Sequence, residues 1–209
     1  GDKLRPARFC DFAILLDKVK DKASIIADGL TEQGIPVSLG GEAFMQSSEI
    51  STMMSLLQVI DNPKCDVELL NVMMSPIFCF TAEEMAIIRA NKKRGPLYSA
   101  VVAYSKTGDE KTVSFIKKLA EFRRDAAVMS VDALVSKLMH STDIINCMSA
   151  RPGGKTRRAN LYSLIKIAKS FVSYSNAGIY GFIKYINALP ENSFKNTVAG
   201  GENAVKIMS

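Results

Sequence analysis

Gly154-Lys155-Thr156 is where this sequence comes nearest to phosphate chemistry. A P-loop wraps phosphates in backbone amides and needs the pattern G-x-x-x-x-G-K-[ST] between a strand and a helix. Here position 149 is Ser149 instead of glycine, and the residues before it read as a helix, so nucleotide binding is not expected at this point. What remains is a cationic cluster, Arg151, Lys155, Arg157 and Arg158, close to where a helix should begin. Cations beside a helix N-terminus suit the phosphates of a nucleic-acid backbone, without base specificity. A solvated basic turn, or one facing an acidic partner, explains the same residues equally well. Lys92-Lys93-Arg94 is smaller and reads more simply as cations complementing a helix end.

No other chemistry assembles by spacing. Cys10, Cys65, Cys79 and Cys147 are scattered without a C-x-x-C pair and His140 is the sole histidine, so no metal site is expected and the cysteines read as apolar filler. Met53, Met54, Met73, Met74 and Met85 likewise read as flexible core. Tyr98, Tyr104, Tyr162, Phe171, Tyr174, Tyr180, Phe182 and Tyr185 could stack on bases, but their helical spacing assigns most of them to the core. The 209 residues are 47% hydrophobic and 23% charged, an ordinary globular balance for one large domain or two small ones. A formal charge of +6 suits an anionic partner, and suits simple solubility as well. No run reaches the roughly 18 apolar residues of a membrane span, and the N-terminus lacks a signal region, so a soluble, cytoplasmic protein without membrane contact is expected.

The elements that must position these residues follow from periodicity. Residues 10–16 form an apolar, strand-like run; 19–33 then places Val19, Ala23, Ile26 and Leu30 on one helix face, and Gly34 closes that helix. Residues 35–39 restart an extended run, giving a β-α-β unit with parallel strands joined right-handedly. Helices are expected over 48–60, with Ser48 as cap, then over 66–74, where Ser75-Pro76 stops the chain, and from Thr81 to 91. Further helices follow at 97–105, 109–126, 130–140, 142–149, 156–174 and 177–189, and 204–208 returns to a strand pattern. Helices set between the first strands and the last read as an insertion whose two ends lie close together, with the final strand pairing with the first ones. A chain that begins with Gly1 and stops in a strand pattern is expected to be a piece of a longer protein.

Gly40-Gly41-x-x-Phe44, then Glu49-Ile50, the run to Asp61-Asn62-Pro63, and Ser75-Pro76-Ile77-Phe78 together resemble the second motor domain of UvrD/Rep-type superfamily 1 DNA helicases. Thr81 to Arg89 and Gly153-Gly154-Lys155-Thr156-Arg157-Arg158-Ala159-Asn160-Leu161 narrow the resemblance to the AddA family of bacterial helicase/nuclease subunits. It implies an α/β but mostly helical fold: a partial RecA-like parallel sheet of the P-loop NTPase type, domain 2A, in residues 1–80 and 200–209, interrupted by an all-α 2B insertion over 81–199. It also implies a parent enzyme that uses ATP and Mg, binds single- and double-stranded DNA, works with an AddB-like partner in a heterodimer and takes part in recombinational break repair. A UvrD-type helicase without nuclease, or a helical module that docks a partner protein, are the alternatives. Gly40, Gly41 and Phe44 correspond to an element near the DNA track, although relatives carry a second aromatic where this chain has Met45. Glu49 corresponds to a residue with a structural role at a helix start. Asp17 stands where relatives carry an arginine that reaches the ATP phosphates, with Lys18 or Lys20 as possible substitutes. No catalytic residue, cofactor or metal is expected within the chain, and the isolated chain is expected to be inactive; a DNA-stimulated ATPase measured on it would refute this.

Overall fold

The computed structural model describes residues 5–16, 19–39, 41–151, 153–175, 177–189 and 203–208. Asp17, Lys18, Gly40 and the loop expected over 190–202 lie outside them, so the altered ATP contact inferred at Asp17 has no structural account. By contact density the chain forms two compact units. One comprises Gly1–Ile50, Met148–Leu164 and Leu189–Ser209; the other comprises Ser51–Cys147 and Ile165–Ala188. Compactness thus divides the chain within two helices, whereas the boundaries at 80/81 and 199/200 follow the resemblance.

In the first unit a 3-10 turn, Phe9–Asp11, precedes strand β1, Ala13–Leu15. Arg5 forks onto Asp11 at 2.6 and 2.8 Å and the Arg8 amide donates to the same carboxylate, which holds the Asp11 carboxyl down at about 2. Helix α1, Val19–Glu32, ends as its sequence requires: Gly34 takes φ +76°, and the amides of Gly34 and Ile35 bond back to the carbonyls of Thr31 and Leu30. Strand β2, Val37–Leu39, follows.

The last strand, β3, Val205–Met208, lies between the first two in the order β1-β3-β2, with both pairings parallel. Ala13 stands opposite Lys206 on one side, and Val37 opposite Val205 on the other. The expected adjacency of the chain's first and last strands is therefore present, and the final strand is the centre of the sheet. That explains its composition, since Val205 and Ile207 are buried. Ala27, Val37 and Ile207 form the core between α1 and the sheet, with Ile14, Leu16, Ile26 and Leu30 packed around it.

After β2 the structure departs from expectation. Gly40-Gly41 reads as a turn from composition, but Gly41 already opens a short helix, α2, Gly41–Gln46. Helix α3, Ser48–Asp61, begins two residues beyond it.

The second unit is helical among the described residues: α4 Asp66–Met74, α5 Ala82–Asn91, α6 Leu97–Ser105, α7 Glu110–Val128, α8 Val131–Ser141, most of α9 Ile144–Ser149, and α11 Gly178–Ala188. Parts of α3 and of α10, Gly154–Tyr174, also belong to it. The Thr81-x-x-Glu84 capping box forms as expected, with the Glu84 amide donating to Thr81 Oγ1 at 3.2 Å and the Thr81 amide to Glu84 at 2.7 Å. Phe115 receives the edges of Phe78 and Phe80, and Phe171 packs on Phe182. Of the five methionines assigned to the core, Met53, Met54, Met73 and Met85 are buried and Met74 is exposed. The aromatic assignment splits as well: Phe171 and Phe182 are core, but Tyr162, Tyr174 and Tyr180 are exposed.

Candidate nucleic-acid interface

The cationic cluster lies in the first unit, where α9 gives way to α10. Gly153 turns the chain at φ +72° and its carbonyl accepts from the Arg157 amide at 3.0 Å, opening α10. Gly154 is required by space, because a Cβ there would lie 2.0 Å from the carbonyl oxygen of Ser149. The two glycines thus make a tight helix-to-helix passage, and no strand precedes them as a phosphate-wrapping loop needs.

Once α10 is set, its period sorts the cations. Arg157, Asn160, Leu161 and Leu164 recur at three- and four-residue spacing and face inward; Lys155, Arg158 and Tyr162 form the exposed face. Arg157 Nη1 donates to Glu49 Oε2 at 2.9 Å and to Ser48 Oγ at 2.7 Å. Asn160 Nδ2 donates to the other carboxylate oxygen at 2.7 Å. The Glu49 side chain is 1% exposed and that of Arg157 19%. One buried carboxylate in the first turn of α3 is therefore clamped by two side chains of α10, more than a hundred residues away in sequence. The Ser48 hydroxyl, expected to cap α3, is part of this clamp.

Arg157 thus belongs to an internal ion pair, whereas Arg151, Lys155 and Arg158 are exposed and form no ion pair among the described residues. Phe44 is 1% exposed, so its ring fills the interior of its unit and presents no face for stacking. Gly41 lies in α2 and Gly40 outside the described residues. The structure therefore brings Arg151, Lys155 and Arg158 to one exposed place, and turns Arg157 and Phe44 inward.

Two members of this neighbourhood carry no obvious mark in the sequence. Asn160 has no charge to attract notice, and Tyr162 falls among aromatics whose spacing assigns them to the core. Arg158 lies over the Tyr162 ring, 5.5 Å from its centroid, with Nη2 3.5 Å from the phenol oxygen. The i, i+3, i+7 spacing of Lys155, Arg158 and Tyr162 is the available signal. Among the described residues, no three acidic, histidine or cysteine side chains gather as a metal site would need, and no helix is long and apolar enough to cross a membrane.

No family model matches the chain. Curated proteins whose names describe the AddA-type subunit of an ATP-dependent helicase/nuclease do. The protein so named from Acetivibrio thermocellus is 33% identical over 217 residues, covering 100% of this chain and 17% of the relative. Those from Alkaliphilus oremlandii and Geobacillus thermodenitrificans are 35% and 36% identical, each covering 98% of this chain and 18% of the relative. The chain is thus similar from end to end to these subunits, and spans less than a fifth of the length of the curated relatives it matches.

Proposed function

We propose that the chain is part of an ATP-dependent DNA helicase/nuclease subunit that processes double-strand breaks for recombinational repair in the bacterial cytoplasm. The end-to-end similarity to proteins of that name carries the reading. In it, residues 1–80 and 200–209 supply part of a RecA-like motor domain, 2A, and 81–199 its helical 2B insertion. The return of β3 to the centre of the sheet begun by β1 and β2 supports this, because an inserted segment must leave and re-enter its host at neighbouring points. ATP and Mg act on parts of the parent outside this chain, and an AddB-like subunit is its partner.

Within the chain, Arg151, Lys155 and Arg158 hold DNA phosphates. This predicts a specific salt dependence. Each phosphate contact to a single strand contributes about −0.7 to the slope of log K against log salt, so three contacts give about −2. In fluorescence anisotropy with a labelled oligonucleotide, Lys155→Glu combined with Arg158→Glu should lower affinity at least about tenfold and flatten the slope by about 1.4.

A second reading, a helical module that docks a partner protein, is favoured by the exposed apolar stripe Val67, Leu70 and Met74 on α4, beside Met85 and Leu97. DNA binding that is absent, or indifferent to salt, would support that reading and overturn the first.

A further inference from the structure

Three features of α10 lack a role so far: the exposed ring of Tyr162, the guanidinium lying over it, and the absence of any acidic residue from the helix. A tyrosine 40% exposed wastes apolar area unless something covers it. The Arg158 guanidinium covers part of it, and the 3.5 Å contact to the phenol oxygen is long enough to yield to a better partner. Guanidinium plane and aromatic ring share a property: each can stack on a nucleobase, and the guanidinium can also bond a phosphate.

We infer that Tyr162 and Arg158 form a stacking platform for an unpaired base of single-stranded DNA, with Lys155 holding a phosphate of the same strand. The inference rests on the DNA-binding reading of this cationic face and specifies what that face recognises. Geometry fits it. Lys155 and Tyr162 are seven residues apart on one helix face, about 10 Å along the axis at 1.5 Å per residue. At about 3.4 Å per nucleotide along one strand, that distance spans about three nucleotides. Charge fits as well, since Arg151, Lys155 and Arg158 are exposed and free of ion pairs among the described residues. Base pairs inside a duplex do not offer their faces to a side chain, so the platform selects single strands over duplex. Stacking is indifferent to base identity, so it adds no sequence preference.

The test compares two labelled oligonucleotides of equal length and charge on the 209-residue chain: oligo-dT and an abasic strand with the same number of phosphates. The chain should bind oligo-dT about tenfold more tightly than the abasic strand. Tyr162→Leu should abolish that preference while leaving the abasic affinity and both salt slopes unchanged, and Tyr162→Phe should retain it. Equal affinity for the two strands, or a preference that survives in Tyr162→Leu, overturns the platform and leaves phosphate binding standing. Salt-indifferent binding, or none, to either strand overturns the DNA-binding reading and the platform together.

Discussion

Glu49→Ala should destabilise the unit that contains it by about 3 kcal/mol, the lower end of what removing one partner from a buried ion pair costs. The substitution deletes the acceptor for two donors at once, Arg157 Nη1 and Asn160 Nδ2. Because the Arg157 side chain keeps 19% exposure, water relieves part of the loss, which is why the lower figure is expected. Removing both charges is a different experiment. Glu49→Leu with Arg157→Met leaves no uncompensated charge and should recover most of the stability, as apolar replacements of buried pairs commonly do. Urea denaturation followed by circular dichroism measures both variants. A loss below about 1 kcal/mol for Glu49→Ala, or a double variant less stable than the single one, would mean that the clamp contributes little. Arg157→Glu would set a second carboxylate against Glu49, so any loss of DNA binding in that variant would report on a damaged site and not on a lost phosphate contact.

The different fates of Arg157 and Arg158 show what is legible in the sequence. Both are cations at the start of a helix, and charge alone pools them. The helix period separates them, since Arg157 shares its face with Asn160, Leu161 and Leu164, whereas Arg158 shares its own with Lys155 and Tyr162. The partner of Arg157 is not legible, because Glu49 lies 108 residues away and no local pattern links the two. Helix positions are plain wherever a cap or a stop residue marks them: Gly34, Thr81 with Glu84, and Ser75-Pro76 all end or begin elements as their chemistry dictates. Helix α2 leaves no such mark, because it starts on a glycine pair and lasts six residues, too short to display a period. The central place of β3 is half legible. Its apolar alternation announces a strand, but only long-range pairing puts β3 between β1 and β2.

Gly154→Ala should destabilise the same unit by about 2–3 kcal/mol, although helix propensity alone predicts the opposite sign. Gly154 is the first residue of α10, and alanine in a helix is ordinarily favoured over glycine by up to about 1 kcal/mol. Here the added Cβ would meet the backbone of Ser149, 2.0 Å from its carbonyl oxygen and 2.7 Å from its carbonyl carbon. A flexible side chain could swing away from such a contact, but backbone must move, and moving it displaces the turn that presents Arg151 and Lys155. Gly29 provides the control. It lies inside α1, and a Cβ there meets nothing within 4 Å, so Gly29→Ala should stabilise by about 0.5–1 kcal/mol through helix propensity and reduced freedom of the unfolded chain. Thermal or urea melts of the two variants should therefore move in opposite directions. If Gly154→Ala stabilises as Gly29→Ala does, the close passage between α9 and α10 is not a constraint, and the glycine at the head of the cationic face needs another explanation.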